Sequence, residues 1–498
     1  MAGPLHVVPE AGEGPSHVVV VGGGIAGLAA AHALVHGNPA PPRVTVLEGS
    51  PLLGGKLRVG QVAGVTADAG AESMLATRPE ALRLVREVGL DDRIVAPATT
   101  KAGLWSRGRV QPLPSGLVMG VPTDLRALAR SGTLSLPGLL RVPLDHLMPR
   151  TPLDSDVSVG SYVAARIGDE VVDRLVDPLL GGVYAGHAHG LSLQATLPAL
   201  FRELADERSL LAAARRVVST GASGSGARRG PVFVGLRGGV GQLPLAVAAA
   251  LRDNGVDVRT SATVRGLERR TSGWRVLVGD TRNPETITAD AVVLAVPAAP
   301  AARLLTPVCA PAAAELGEVE YASVALVTLV YRARAVEGRL AGSGFLVPSV
   351  DDRAIKAATF TSAKWDWEAE EAATGGDVGE PLAVLRVSFG RYGEESMLQR
   401  DDAELAELGH ADLRAALGVT EPPVTSAVTR WGGGLPQYAV GHVARVERIR
   451  RAVSEQPGLA VCGAAYDGVG IAAVIGSARA AAARVAEHLG ARRQWRHA

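Results

Sequence analysis

Residues 17–34 read HVVVVGGGIAGLAAAHAL, and this stretch decides the fold. Four valines after His17 form a run without polar alternation, the pattern of a strand covered on both faces of a parallel sheet. Gly22-x-Gly24-x-x-Gly27 follows directly, and Ile25–Val35 continues as a helix. In that order Gly22 permits a tight turn and Gly24 lets a pyrophosphate approach the backbone. Gly27 lets the helix pack closely on the sheet, with the helix N-terminus facing the phosphates. A Pro-rich loop leads to a second strand, Arg43–Glu48. Its last residue, Glu48, lies 21 residues past Gly27, where a carboxylate accepts hydrogen bonds from ribose hydroxyls. Strand, helix and acid in register read as a dinucleotide pocket; a glycine-rich turn without ligand is the bland alternative. The apolar stretch Val18–Leu34 approaches the length of a membrane span, but four glycines and a β-branched first half favour strand, turn and helix.

The rest of the composition narrows the class. A chain of 498 residues allows about two to four domains. With 47% hydrophobic and 20% charged residues, neither disorder nor a fibrous repeat fits. Balanced charge, 51 basic against 50 acidic residues, argues against a nucleic-acid partner. Cys309 and Cys462 alone make neither a disulfide framework nor a Cys-rich metal or iron–sulfur site, and they point weakly to a reducing, cytoplasmic setting. Met1–His17 lacks the features of a secretory signal and reads as a frayed tail.

Working outward, amphipathic helices are expected at 79–95 and 158–180, the second stopped by Pro178 and Gly181–Gly182. Six prolines between 112 and 149 allow only short helices there. Thr220–Gly230 (TGASGSGARRG) has the composition of a flexible linker. Strands are expected at Val232–Leu236, Val256–Arg259, Val264–Glu268, Trp274–Val278 and Ala291–Val296, then a mixed block from Ala301 to Glu421. A strand, Leu459–Cys462, and an Ala-rich helix, Val474–Leu489, close the chain. No internal repeat is present. His187 and His189 have the spacing of a metal-ligand pair but no third partner, so no metal is expected.

Six residues past Glu48 comes Gly54-Gly55-Lys56, within EGSPLLGGKLR (48–58). The pattern of an acid followed by Gly-Gly-Lys/Arg resembles the second half of the FAD signature in amine-oxidase-like flavoproteins. A second glycine turn lets the chain pass close to an extended cofactor, and Lys56 adds positive charge near its phosphates. Three later segments resemble parts of the same pocket: LRGGVGQL (236–243), AVVLAVP (291–297) and LAVCGAAYDGVGIAAVIGSARAAA (459–482).

Five longer segments sharpen the likeness: ADAGAESMLATRPEALRLVREVGL (67–90), RIGDEVVDRLVDPLLGGVYAGHAHGLSLQATLPAL (166–200), GSGFLVP (342–348), RWGGGLPQYAVGH (430–442) and GAAYDGVGI (463–471). They resemble the protoporphyrinogen oxidase family from about His17 to Leu489. The resemblance implies an α/β fold: a Rossmann-type FAD-binding domain from 14–80, 229–300 and 424–498, a helical insertion at 81–215, and a mixed-sheet substrate domain at 301–423. In the family that insertion can dock on membranes at the inner face of the cell; a helical subdomain without membrane contact is equally compatible with this sequence.

Carried over residue by residue, the noncovalent FAD contacts are Gly22, Gly23, Gly24, Ile25, Ala26, Gly27, Glu48, Gly49, Gly55, Lys56, Gly70, Ala71, Glu72, Ser73, Val264, Trp431, Val469, Gly470 and Ile471. Trp431 also reads simply as a half-buried aromatic. In the segment matching Leu113–Leu117, mitochondrial-type members carry an arginine next; here Val118 and Met119 follow, as in the Gram-positive branch. That branch acts on coproporphyrinogen III rather than protoporphyrinogen IX, so Val118 and Met119 are the substrate-pocket candidates. The implied reaction removes six electrons in three flavin turnovers and yields three H2O2 from O2. It calls for no metal, nucleophile or strong base, and the product passes to a ferrochelatase. Alternatives are a protoporphyrinogen IX oxidase, another amine oxidase or a carotenoid desaturase, and, most distant, a non-enzymatic FAD-binding scaffold.

Overall fold

The valines of the opening strand point alternately into two separate cores. In the computed structural model, which describes residues 15–153, 155–224, 230–282 and 284–497, His17–Val21 is the middle strand of a five-stranded parallel sheet. Val18 and Val20 face a layer of three helices, Ile25–Val35, Gln242–Asp253 and Ile471–His497. Val19 and Val21 face the antiparallel sheet Val264–Arg270, Gly273–Val278, Glu285–Ala289 and the helices Ala298–Leu305, Ala310–Gly317 and His442–Ser454. Burial on both faces is the physical cause of the uninterrupted apolar run. The strand order is Asp257–Arg259, Arg43–Leu47, His17–Val21, Ala291–Leu294, Leu459–Val461, all parallel. Winding reverses between His17–Val21 and Ala291–Leu294, and ligands of open α/β sheets bind beyond the strand ends at such a switch point.

A second sheet has seven strands: Thr425–Pro436, Tyr321–Arg332, Leu382–Phe389, Ala357–Thr359, Gly344–Leu346, Gly103–Ser106 and Arg109–Pro112, in that spatial order. Every pair is antiparallel except Gly344–Leu346 with Gly103–Ser106. A third core joins the helices between Leu125 and Gly224. At its heart Arg166 and Asp145, both with fully buried side chains, are paired at 2.6 Å. Asp145 also accepts the Ser209 hydroxyl and the Leu211 N–H, which fixes the start of helix Leu210–Gly224.

Several sequence expectations differ from what forms. Residues 81–215 are not wholly helical, because Gly103–Ser106 and Arg109–Pro112 complete one edge of the seven-stranded sheet. Likewise Thr425–Pro436 forms the other edge, so that part of 424–498 belongs to this sheet. Helix 79–95 ends at Glu87, and a short 3-10 turn follows. Helix 158–180 breaks earlier, at Gly168 (φ +98°), and runs past Pro178 to Tyr184. A wide π turn, Val172–Val176, sits just before the proline, which has no N–H to give the preceding turn. Of the expected linker Thr220–Gly230, residues 220–224 extend a helix, and 225–229 lie outside the described residues. The expected tail stops short of His17, which opens the first strand and hydrogen bonds to Thr45; residues 1–14 lie outside the described residues.

Candidate functional site

Two glycine turns meet at the switch point. Gly22 (φ +112°) turns the chain out of the first strand, and its N–H bonds the Leu47 carbonyl at 2.8 Å. A Cβ on Gly27 would lie 1.8 Å from the Gly22 carbonyl oxygen, so only glycine lets the helix sit this close to the strand end. Gly54 donates to the Gly23 carbonyl at 2.9 Å, setting the second turn, Gly54-Gly55, alongside the first. A Cβ on Gly24, by contrast, would meet nothing nearer than the Gly55 Cα at 3.9 Å. The space before Gly24 is open, as an approaching phosphate needs. Ile25 and Ala26 are buried immediately behind it.

Three helices begin around this point, and their N-termini differ. Gln242–Asp253 is stoppered by protein: Asp68 accepts the N–H groups of Val240 and Gly241, each at 2.9 Å. Ile25–Val35 has Gly24 as N-cap, no side-chain cap and no acid in its first turn. Ile471–His497 also lacks an acid in its first turn, and nothing within 4 Å would meet a Cβ on the preceding Gly470. The loop leading there, through Gly463 and Val469, passes against Ala26. Two open N-termini therefore lie on either side of the cradle, suited to an anionic or electron-rich ligand.

Glu48 stands between the turns. Its Oε2 accepts the Gly23 N–H and its Oε1 the Ser50 N–H, both at 2.7 Å, leaving a lone pair on each oxygen. Its carbonyl accepts the Ala262 N–H at 2.7 Å, which brings Gly49 against Thr263 and next to Val264. Lys56 is held by the chain itself. Its ammonium donates to the Gly434 carbonyl, and burial lowers its pKa to about 8. Gly70 packs on the Lys56 carbonyl, and Trp431 reaches the same corner, donating to the Ala69 carbonyl at 2.9 Å. The Arg58 guanidinium covers the Trp431 ring at 5.2 Å.

Glu72 turns away from the turns and into an ion cluster, while Ala71 stays exposed and Ser73 half-buried. Lys364 binds one Glu72 oxygen at 2.6 Å and Arg386 the other at 2.7 Å. Burial opposes the Glu72 charge, but Arg386 and Lys364 outweigh it and hold its pKa below the usual carboxylate range. Arg386, Lys364 and Glu368 are not legible as site residues, since none sits in a glycine motif. Only the buried acid within ADAG was a usable hint.

Val118 and Met119 form a tight hairpin with Val121–Pro122. Met119 and Gly120 both have positive φ, +46° and +94°, and Gly120 presses on the Val176 backbone in the π turn. Both candidates pack on the helical core, against which Val469 also packs. His187 pairs with Asp177 at 3.7 Å and His189 is exposed.

Residues 25–486 match the model of the family described as flavin containing amine oxidoreductase. The chain is 32% identical over 477 residues to the coproporphyrinogen III oxidase of Bacillus subtilis, covering 94% of this chain and 97% of that protein. To the coproporphyrinogen III oxidase of Mycobacterium tuberculosis it is 36% identical over 484 residues, with 96% and 99% covered. A crystal structure from Exiguobacterium sp. 255-15 superposes with a TM-score of 0.81 at 29% identity, covering 96% of this chain and all of that one. The cofactor implied by this family is a flavin, and open glycine turns flanked by two open helix N-termini fit such a group. The chain belongs to the flavin containing amine oxidoreductase family.

Proposed function

We propose that this protein is an FAD-dependent coproporphyrinogen III oxidase, producing coproporphyrin III and three H2O2. The observation that carries the reading is likeness along nearly the whole chain to proteins of that name, in a fold whose switch point is left open for a dinucleotide. The five-stranded sheet and its helices serve as the FAD domain and the seven-stranded sheet as the substrate domain. The Gly24 turn and the helix N-terminus behind it take the pyrophosphate, and Glu48 the adenosine ribose. Val469, Gly470 and Ile471 present N–H groups to the flavin end. Cofactor attachment is noncovalent, in keeping with Cys462, whose thiol is fully buried just past strand Leu459–Val461 and pushed up to about 12 by burial.

A flavin held there would supply a two-electron acceptor for a meso-carbon hydride, with a pyrrole N–H proton lost to solvent, and O2 would reoxidise it to give H2O2. The chain's own task is orientation and exclusion of water. An apolar cluster of Ala185, Ala322, Val324, Tyr392, Trp431 and Leu435 joins the helical region to the sheet edge and offers that enclosure. Val118 and Met119 flank the pocket without an arginine, which favours the tetrapropionate substrate. Oxygen consumption with coproporphyrinogen III and protoporphyrinogen IX supplied separately tests the assignment. A higher kcat/KM for the former is expected; turnover of protoporphyrinogen IX alone would place the chain in the other branch.

Among the described residues no helix is long and apolar enough to cross a membrane. We place the enzyme in the cytoplasm, touching the membrane peripherally and handing product to a ferrochelatase. The membrane reading draws on Leu136, Leu140, Leu144 and Leu147, which are 46–80% exposed at helical spacing. Sedimentation with anionic vesicles, lost in a Leu136→Ser/Leu140→Ser variant, is the expected result; equal sedimentation of both proteins would refute it.

A further inference from the structure

Behind the Gly70–Ser73 loop lies a small cavity, lined by polar and apolar side chains, with room for a single water molecule. Three parts of the fold wall it: the loop itself through Asp68 and Glu72, the seven-stranded sheet through Arg386, and helix Asp366–Ala373 through Glu368. Arg386 grips the loop in three places, donating to the Asp68 and Gly70 carbonyls at 2.9 Å each and to Glu72 at 2.7 Å. Lys364 holds the remaining Glu72 oxygen. The chain segment that bears Gly70, Ala71, Glu72 and Ser73 is thus fixed by Arg386 and Lys364.

Three carboxyls share this enclosure with Arg386, Lys364 reaching Glu72 from outside its lining, and their partners differ. Asp68 has two backbone N–H donors, and Glu72 has both cations. Glu368 is 3% exposed and has neither; its Oε1 is buried without a hydrogen-bond partner among the described residues. An ionised Glu368 would be an uncompensated charge in a closed space. Burial accordingly pushes its pKa up to about 8. The charges of Glu72 and Asp68 add to the shift, while hydrogen bonding to Thr361 and the Arg386 charge pull the other way.

We propose that Glu368 is a positioning residue: as a neutral acid it leaves Arg386 and Lys364 to the clamp they place on the Asp68–Ser73 loop, and its ionisation loosens that clamp. An ionised Glu368 competes with Glu72 and the loop carbonyls for Arg386, so the loop loses the contacts that set it against the cofactor. The proposal rests on the reading above that Gly70–Ser73 lie against the flavin.

The test follows the holoenzyme from about pH 6.5 to about 9.5, comparing wild type with Glu368→Gln, which keeps the shape and cannot ionise. Flavin retention is read by absorbance after desalting. The loop is read separately by tryptophan fluorescence, because Trp365 lines the cavity and Trp431 bonds the Ala69 carbonyl. Wild type should shed flavin several-fold faster above about pH 8, with a matching fluorescence transition, and Glu368→Gln should show neither. Flat wild-type curves in both readouts, or the same transition in Glu368→Gln, would overturn the proposal. A fluorescence transition removed by Glu368→Gln while flavin retention stays flat would keep the clamp and sink the assignment of the loop to the flavin.

Discussion

Replacing Gly24 by valine separates binding of the cofactor from folding of its domain. The Gly24 backbone (φ −75°, ψ 176°) suits any L-residue, and its Cβ would sit 3.9 Å from the nearest atom. The fold should therefore lose no more than about 0.5 kcal/mol, the range of substitutions that break no packing. The new isopropyl group would occupy the space in front of the helix N-terminus. Each charge-assisted hydrogen bond lost there is worth about 1.5–3 kcal/mol, at least roughly tenfold in affinity. Gly27→Ala provides the opposite control. Its Cβ would fall 1.8 Å from a backbone oxygen, about 1.2 Å inside the closest tolerated contact, and neither partner is a side chain that can swing away. Helix Ile25–Val35 must lift off the strand, at a cost of about 3 kcal/mol or more. Urea unfolding of the apoproteins and flavin titration read the two effects independently. Gly24→Val should unfold like wild type and retain no flavin through desalting, whereas Gly27→Ala should shift the unfolding midpoint. Undiminished flavin retention in Gly24→Val would remove the phosphate from this turn.

Glu48→Ala should weaken flavin binding by about 1–3 kcal/mol without abolishing it, since the lost group is one carboxylate among many backbone donors; isothermal titration gives the value directly. Arg166→Met leaves Asp145 charged and enclosed, with both partners fully buried in the native fold, and should destabilise by about 3–5 kcal/mol in denaturant unfolding. A change below about 1 kcal/mol would mean that the Ser209 and backbone donors alone satisfy Asp145. Glu368 predicts a pH slope of definite sign. Its pKa is about 8 when folded and near the ordinary carboxyl value of 4.5 when unfolded, so between these the folded chain holds a proton that the unfolded chain lacks. Stability should then fall as pH rises across that window, by at most about 5 kcal/mol, and Glu368→Gln should flatten the fall in thermal melts. Parallel wild-type and variant slopes would contradict the shift.

Local chemistry makes the opening βαβ unit of this fold legible. The valine run, the glycine spacing and Glu48 each impose a constraint within one βαβ unit, so they could be read without knowing what lies across from them. The same holds for the expected short helices between 112 and 149, where prolines act on their own turns. Expectations failed where a distant partner decides. The local hairpin of Gly103–Ser106 and Arg109–Pro112 joins the seven-stranded sheet because Gly344–Leu346 is there to pair with Gly103 and Leu104, more than two hundred residues later. Pro178 was read as a helix stop because the π turn that accommodates it leaves no signature in residue type. Linker-like composition at Thr220 was overridden by a helix whose start is tied down by Asp145.

The site divides along the same line. Its front, the open turns and uncapped helix starts, is written in glycines, because closeness of approach to a ligand is a property of single residues. Its back is written in pairs. Arg386 reaches Glu72 across 314 positions and Lys364 across 292, and neither residue type nor spacing distinguishes this arginine from the 46 others. What separates it is that its donors go to backbone carbonyls of the loop as well as to a carboxylate, so its loss would free the chain path and not merely a charge. A glycine motif therefore specifies where a cofactor can approach, and a buried ion cluster ties the Asp68–Ser73 segment to the seven-stranded sheet.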